Sequence, residues 1–129
     1  MSPPKPGAVL FAKSLERLAM FYERTLGMPV ARATHGHVVL ETETFEFVIH
    51  AIPEPIAVAI QISDPPEVRE ETPIKLLFPV ASIDDARAIA ATLGGSVAPR
   101  EREWVSAGRR VCDGHDPEGN VFQLRQAAP

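Results

Sequence analysis

A chain of 129 residues and 14.0 kDa is one domain by length, large enough to bury about two-thirds of its unfolded surface without a metal or disulfide staple. Its single cysteine, Cys112, excludes an internal disulfide framework, and no stretch has the charged start, apolar run and small-residue cleavage site of a secretory signal, so a cytoplasmic protein is expected. With 13 basic residues against 17 acidic ones, a net charge of -4, and apolar runs far shorter than a membrane span, neither nucleic acid nor membrane is an expected partner.

Residues 1–6 hold three prolines and are expected to be a disordered arm. A strand follows over residues 8–13, and Ser14 suits the N-cap of a helix over residues 15–26, where Leu15, Leu18, Phe21 and Leu26 recur at helical spacing. Gly27 ends it as a C-cap. Residues 29–34, 38–41 and 45–52 read as three strands, turned at His35-Gly36 and Glu43-Thr44. Residues 53–73, with Pro55, Pro65, Pro66 and the acids Glu67, Glu70 and Glu71, suit a connector. Within it Ile56, Val58, Ile60 and Ile62 alternate with smaller or polar residues, which favours a short extra strand, a helical turn at its start being the alternative.

The second half repeats this order. A strand over residues 74–80 leads to a helix capped by Ser82 and ending at Leu93, with Asp84 and Asp85 at its positive end and Gly94-Gly95 after it. Strands at residues 96–99, 109–113 and 121–125 complete it, the last two joined by the turn-forming run from His115 to Asn120. The letters repeat too: Thr25-Leu26-Gly27 recurs as Thr92-Leu93-Gly94, and the same offset of 67 residues relates Leu10-Phe11 to Leu77-Phe78 and Ala19 to Ala86. The chain thus divides into modules 7–52 and 74–126 of one domain, 7–126, around connector 53–73, and a pseudo-symmetric pair places a site where its halves meet.

Side chains alternate across a strand, so each strand can be read as two faces. Phe45, Phe47, Ile49 and Ala51 face the first helix; Leu76, Phe78 and Val80 face the second; Phe122 and Leu124 also point inward. The opposite faces share Glu46, His50, Lys75, Gln123 and Arg125, interleaved with Val48, Leu77 and Val121. Such a mixture suits the lining of a ligand cavity, although a sheet can also leave one polar face in water.

The element order, the run from Leu18 to Met28 and the run from Asp116 to Leu124 resemble the vicinal oxygen chelate superfamily, which includes glyoxalases, extradiol dioxygenases and bleomycin-binding proteins. That resemblance implies an α+β fold of two tandem βαβββ modules forming a cupped mixed sheet with helices on its outer face, and a homodimer. Metal enzymes of that superfamily take ligands from the first, fourth, fifth and eighth strands, which fall here on Gly7, His50, Lys75 and Gln123. A glycine has no donor, an ammonium repels a cation and a neutral amide is a poor ligand, so no metal or other cofactor is expected.

Lys75 would then stand where the metal stands in those enzymes, flanked by His50 and Gln123. The expected function is metal-free binding of a small polar molecule, anionic or carbonyl-bearing, by His50, Lys75, Gln123, Arg125, Glu46 and Trp104, the last as an aromatic lid. The alternative is a lyase, isomerase or dioxygenase using Lys75 and His50, or a divalent metal held atypically by His50 with Glu46; catalytic residues are not assigned. Structural roles compete with both: Lys75 could pair with an acid, and His50 could be a hydrogen-bonded core residue. His35, His37 and His115 lie in expected turns and read as surface residues, Cys112 as a buried inert thiol. Arg100, Arg102, Arg109 and Arg110, interrupted by Glu101, Glu103 and Asp113, read as a solvated face.

Overall fold

In the computed structural model, which describes residues 3–127, each half of the chain is built on a βαβββ order, the second half with one additional short strand. The first comprises β1 (Gly7–Ala12), α1 (Leu15–Leu26), β2 (Val30–Ala33), β3 (His37–Glu41) and β4 (Glu46–Ala51). Its sheet has the order β1-β4-β3-β2, with β1 parallel to β4. A short helix, α2 (Glu54–Ala57), opens the connector. The second module comprises β5 (Leu76–Pro79), α3 (Ile83–Thr92), β6 (Ser96–Val97), β7 (Trp104–Ser106), β8 (Arg109–His115) and β9 (Val121–Ala127). Its sheet has the order β5-β9-β8-β6, and β7 also pairs with β8. The strands form two mixed sheets, one per module.

The extra strand favoured over residues 56–63 does not form. Proline is tolerated in the first turn of a helix, and Pro55 stands there, while the amides of Ala57 and Val58 close the turn onto the carbonyls of Pro53 and Glu54 at 2.9 and 3.0 Å. In the expected N-terminal arm, residues 1 and 2 lie outside the described part. Its far end is tied down: Lys5 pairs with Glu41 at 2.6 Å, and the Pro6 carbonyl accepts from the Glu46 amide at 3.1 Å.

The amphipathic pattern buries Leu18, Phe21, Tyr22 and Leu26 of α1 and Ile83, Ala86 and Ala90 of α3 in one core with Phe47, Ile49, Phe78, Phe122 and Leu124. Each fully buried aromatic there contributes about 1.5 to 3 kcal/mol relative to exposure. Tyr22 joins the halves: its ring lies 5.0 Å from that of Phe47 in the first sheet and 5.9 Å from that of Phe122 in the second. Its hydroxyl donates to Asp116 Oδ2 at 2.7 Å. Gly27 ends α1 with φ 68°, a left-handed conformation that glycine adopts without strain.

Helix capping differs between the modules. Ser82 Oγ accepts from the Asp85 amide at 3.0 Å, as its position suggests. Ser14 makes no side-chain cap. Instead the carboxylate of Glu118, in the turn before β9, accepts from the Lys13 and Ser14 amides at 2.9 and 2.8 Å. The second module therefore supplies the anion at the N-terminus of the first module's helix, where the helix dipole favours it.

Candidate functional site

Both sheets turn one face to the helices and leave the other partly exposed, with Val39 and Val111 buried on those far faces. On the second sheet the open face carries Val111, Asp113 and His115 of β8 beside Val121, Gln123 and Arg125 of β9, in the register Val111 to Arg125, Asp113 to Gln123 and His115 to Val121. Trp104 of β7 stands opposite Val111 and joins the same face. Two segments build walls on this floor. The chain carrying Arg102 and Trp104 rises at one side, and the end of the connector, with Val68, Glu70 and Thr72, rises at the other. They flank a half-open cavity of about 770 Å³, within the usual size of small-molecule sites.

Lys75 and Asp113 meet inside it, Nζ to Oδ2 at 3.2 Å, each side chain about two-fifths exposed (41 and 42%). Trp104, 42% exposed, borders the same space, with His115 and Val121 also in the lining. Of the residues expected from the sequence, the fold thus brings Lys75 and Trp104 together. Gln123 stands beside Asp113 on the same face, but its Oε1 accepts from Arg125 Nε at 2.9 Å, and neither residue lines the cavity. Glu46 and His50 lie on the other sheet. Glu46 pairs with Arg32 at 2.8 Å. His50 stacks on His37, with ring centroids 6.1 Å apart, and donates through Nδ1 to the Ala51 carbonyl at 2.8 Å, since a carbonyl can only accept.

Asp113 and His115 were not singled out from the sequence as binding residues. The strand was expected to stop at Asp113 and His115 to fall in the turn, whereas β8 runs on to His115; His37 likewise sits in β3. Extending the alternation Val111, Asp113, His115 against Val121, Gln123, Arg125 would have found them. Trp104 lies in a short strand, β7, paired to β8.

The wall bearing Trp104 is fixed from beneath. Glu103, its side chain 8% exposed, accepts from Arg87 of α3 and, at 2.8 Å, from Arg110 of β8, and both arginines also reach Asp84. Burial pushes the Glu103 carboxyl up, but the two guanidiniums outweigh it and hold it below the ordinary glutamate value. Glu103 and Arg110 are therefore part of an ion-pair network, not of a solvated face. Burial raises the neighbouring Cys112 thiol, which is fully enclosed and bonds to the Ala98 carbonyl at 3.3 Å, as suits an inert core residue.

A second cavity of about 680 Å³ lies at the seam between β1 and β5, lined by Leu10, Tyr22, Leu76, Phe78 and Phe122 with Arg69 and Glu71 at one side. Arg69 and Glu71 face the seam while Val68 and Glu70 face the sheet cavity, so this stretch of connector separates the two. It is anchored by the Arg69 amide on the Gly119 carbonyl at 2.9 Å.

The glyoxalase-like domain family matches residues 8–125, and the chain belongs to it and to the vicinal oxygen chelate superfamily. No curated protein matches. Similar solved structures include a hypothetical protein from S. aureus, 19% identical with a TM-score of 0.67 over 98% of this chain and 95% of that one. A glyoxalase/bleomycin resistance protein from Albidiferax ferrireducens is 18% identical, with a TM-score of 0.67 over 93% and 95%. A bleomycin resistance determinant encoded on the transposon Tn5 is 16% identical, with a TM-score of 0.60 over 97% and 98%. At these identities the likeness is one of fold.

Metal-binding members of the superfamily raise the question of whether this chain could hold a metal at the matching positions. Its residues do not fit one. A Cβ on Gly7 would lie 2.0 Å from the Glu46 carbonyl oxygen, so a ligating side chain there would force β1 off β4. Lys75 is a cation, and the carbonyl oxygen of Gln123, its one acceptor, already serves Arg125. Among the described residues no three His, Cys, Asp or Glu side chains converge.

Proposed function

We propose that this protein binds a small polar molecule bearing a carbonyl or anionic group, without a metal, in the cavity on its second sheet, as a cytoplasmic homodimer. The observation that carries the reading is the half-exposed Lys75 ammonium, set beside Asp113 in a cavity of about 770 Å³ with Trp104 as an aromatic wall. Its lining mixes polar and apolar side chains, and a few convergent polar groups beside an aromatic surface in a concave site are features of small-molecule sites. Among the described residues no helix is long and apolar enough to cross a membrane.

A thermal-shift screen of small carboxylates and carbonyl compounds, followed by calorimetry on the hits, tests this. A charge-assisted hydrogen bond is worth about 1.5 to 3 kcal/mol. Lys75→Ala is therefore expected to weaken binding about tenfold or more. Folding should be little changed, because a half-exposed ion pair contributes about 0 to 1 kcal/mol. Unchanged affinity would remove Lys75 from the site.

The dimer is supported by apolar side chains on the open faces. Val9 and Phe11 on the first sheet are 57 and 58% exposed, and Leu77 on the second is 49% exposed. Grouped apolar surface of this kind marks contacts between molecules. Phe11→Glu is expected to shift the protein toward monomer in analytical ultracentrifugation, and an unchanged sedimentation coefficient would place the contact elsewhere.

A further inference from the structure

The Lys75–Asp113 pair leaves hydrogen-bonding capacity unused on both partners. Asp113 Oδ2 takes the Lys75 ammonium, while Oδ1 is buried and has no donor among the described residues. A buried acceptor without a donor is costly, more so when charged. The side chain is nonetheless about two-fifths exposed, so Oδ2, the oxygen that meets the lysine, is the one that borders the cavity, and it keeps a second lone pair beyond the one Lys75 takes. Lys75 has three N–H groups, and Asp113 is its hydrogen-bond acceptor among the described residues. The pair thus offers a free donor and a free acceptor side by side.

Trp104 and Asp113 share the open face of the sheet, and Val121 adds an apolar surface in the same cavity. A flat ring can lie along them. Arg102 and Glu70 bring opposite charges to the walls, so together they set no strong net field against a neutral ligand.

We propose, resting on the binding reading above, that the cavity selects a flat heterocycle presenting a cis-amide edge. The carbonyl accepts from Lys75, the adjacent N–H donates to Asp113, and the ring lies against Trp104. A trans amide turns its N–H away from its carbonyl and cannot meet both groups. A carboxylate satisfies Lys75 but sets a second anion against Asp113, so this assignment favours the carbonyl-bearing class over the anionic one.

The chain has one tryptophan, so isotope-labelled protein gives a single indole N–H resonance that reports on Trp104 alone. It would be titrated with carbostyril, which has a cis-amide edge, with N-methylcarbostyril, which keeps the carbonyl and loses the donor, and with naphthoate, an anion of similar size. Carbostyril is expected to move the resonance saturably, the N-methyl compound to bind about tenfold more weakly or worse, and naphthoate to bind more weakly than carbostyril. Asp113→Ala is expected to reverse that order, because it frees Lys75 and removes the opposing anion. The two carbostyrils are compared on the parent protein, so the test does not depend on a variant folding. Equal binding of the two, or a parent preference for naphthoate, overturns the cis-amide assignment while leaving the cavity a binding site. If none of the three moves the resonance, the assignment is also overturned, and the broader reading then rests on the ligand screen.

Discussion

Asp116→Ala is expected to cost about 4 kcal/mol or more, a large share of the roughly 5 to 15 kcal/mol that holds a domain folded. Asp116 is fully buried and collects four hydrogen bonds. Tyr22 Oη and Asn120 Nδ2 donate to Oδ2 at 2.7 and 2.9 Å, and the Glu118 and Asn120 amides donate to Oδ1 at 2.8 and 3.1 Å. Alanine would strand these donors, each at about 1 to 3 kcal/mol when buried without a partner. It would also loosen the turn that places Glu118 on the amides before α1, so both halves should feel the loss. Burial first, and then the Asp116 carboxylate, push the Tyr22 phenol well above its usual value, so it stays a donor. Urea unfolding measures the effect. Asp116→Asn, which keeps the shape and one carbonyl acceptor, should fall between parent and alanine. A loss under about 1 kcal/mol for Asp116→Ala would mean that the Asp116 hydrogen bonds add little to what holds the halves together.

Glu103→Ala is expected to act on both stability and the site. It removes the anion between Arg87 and Arg110, which are each about one-fifth exposed, and should cost about 2 kcal/mol, less than a fully buried pair because water reaches the arginines. Trp104 follows Glu103 directly, so its ring should lose its fixed place and carbostyril should bind several-fold more weakly. The same network gives a pH dependence. The folded carboxyl of Glu103 is held low, so its contribution is complete above the unfolded value of about 4.3 and is lost as pH falls through the lower folded value. The parent should therefore lose stability, and its indole resonance should move, in acid below the ordinary glutamate range. Glu103→Gln should lack that step. An identical acid profile in the two proteins would show that Glu103 does not hold the wall.

Legibility from the sequence followed locality. Gly27 and Ser82 act within a few residues of themselves, and the structure uses both as their positions suggested. The alternation of Leu76, Phe78 and Val80 against Leu77 and Pro79 reproduces the buried and open faces of β5. The cap on α1 was not legible, because Ser14 suits the role and only the fold brings Glu118 to its amide across 104 positions of chain. Nor was the division of the polar far-face residues. Glu46 and His50 share an alternation pattern with Lys75 and Gln123, but alternation does not say which strands share a sheet.

By itself, then, the sequence determined the two βαβββ modules, which side of each strand meets a helix, and the family, since these depend on periodicity, turn chemistry and motif letters within short windows. Only the tertiary structure decided that Lys75 meets Asp113, that Trp104 is a wall held from below by Glu103, and that no side chain fits at Gly7. The physical reason is reach. Ion pairs and cavity walls form between side chains whose distance is set by strand register and module docking, and one-dimensional spacing carries no measure of either.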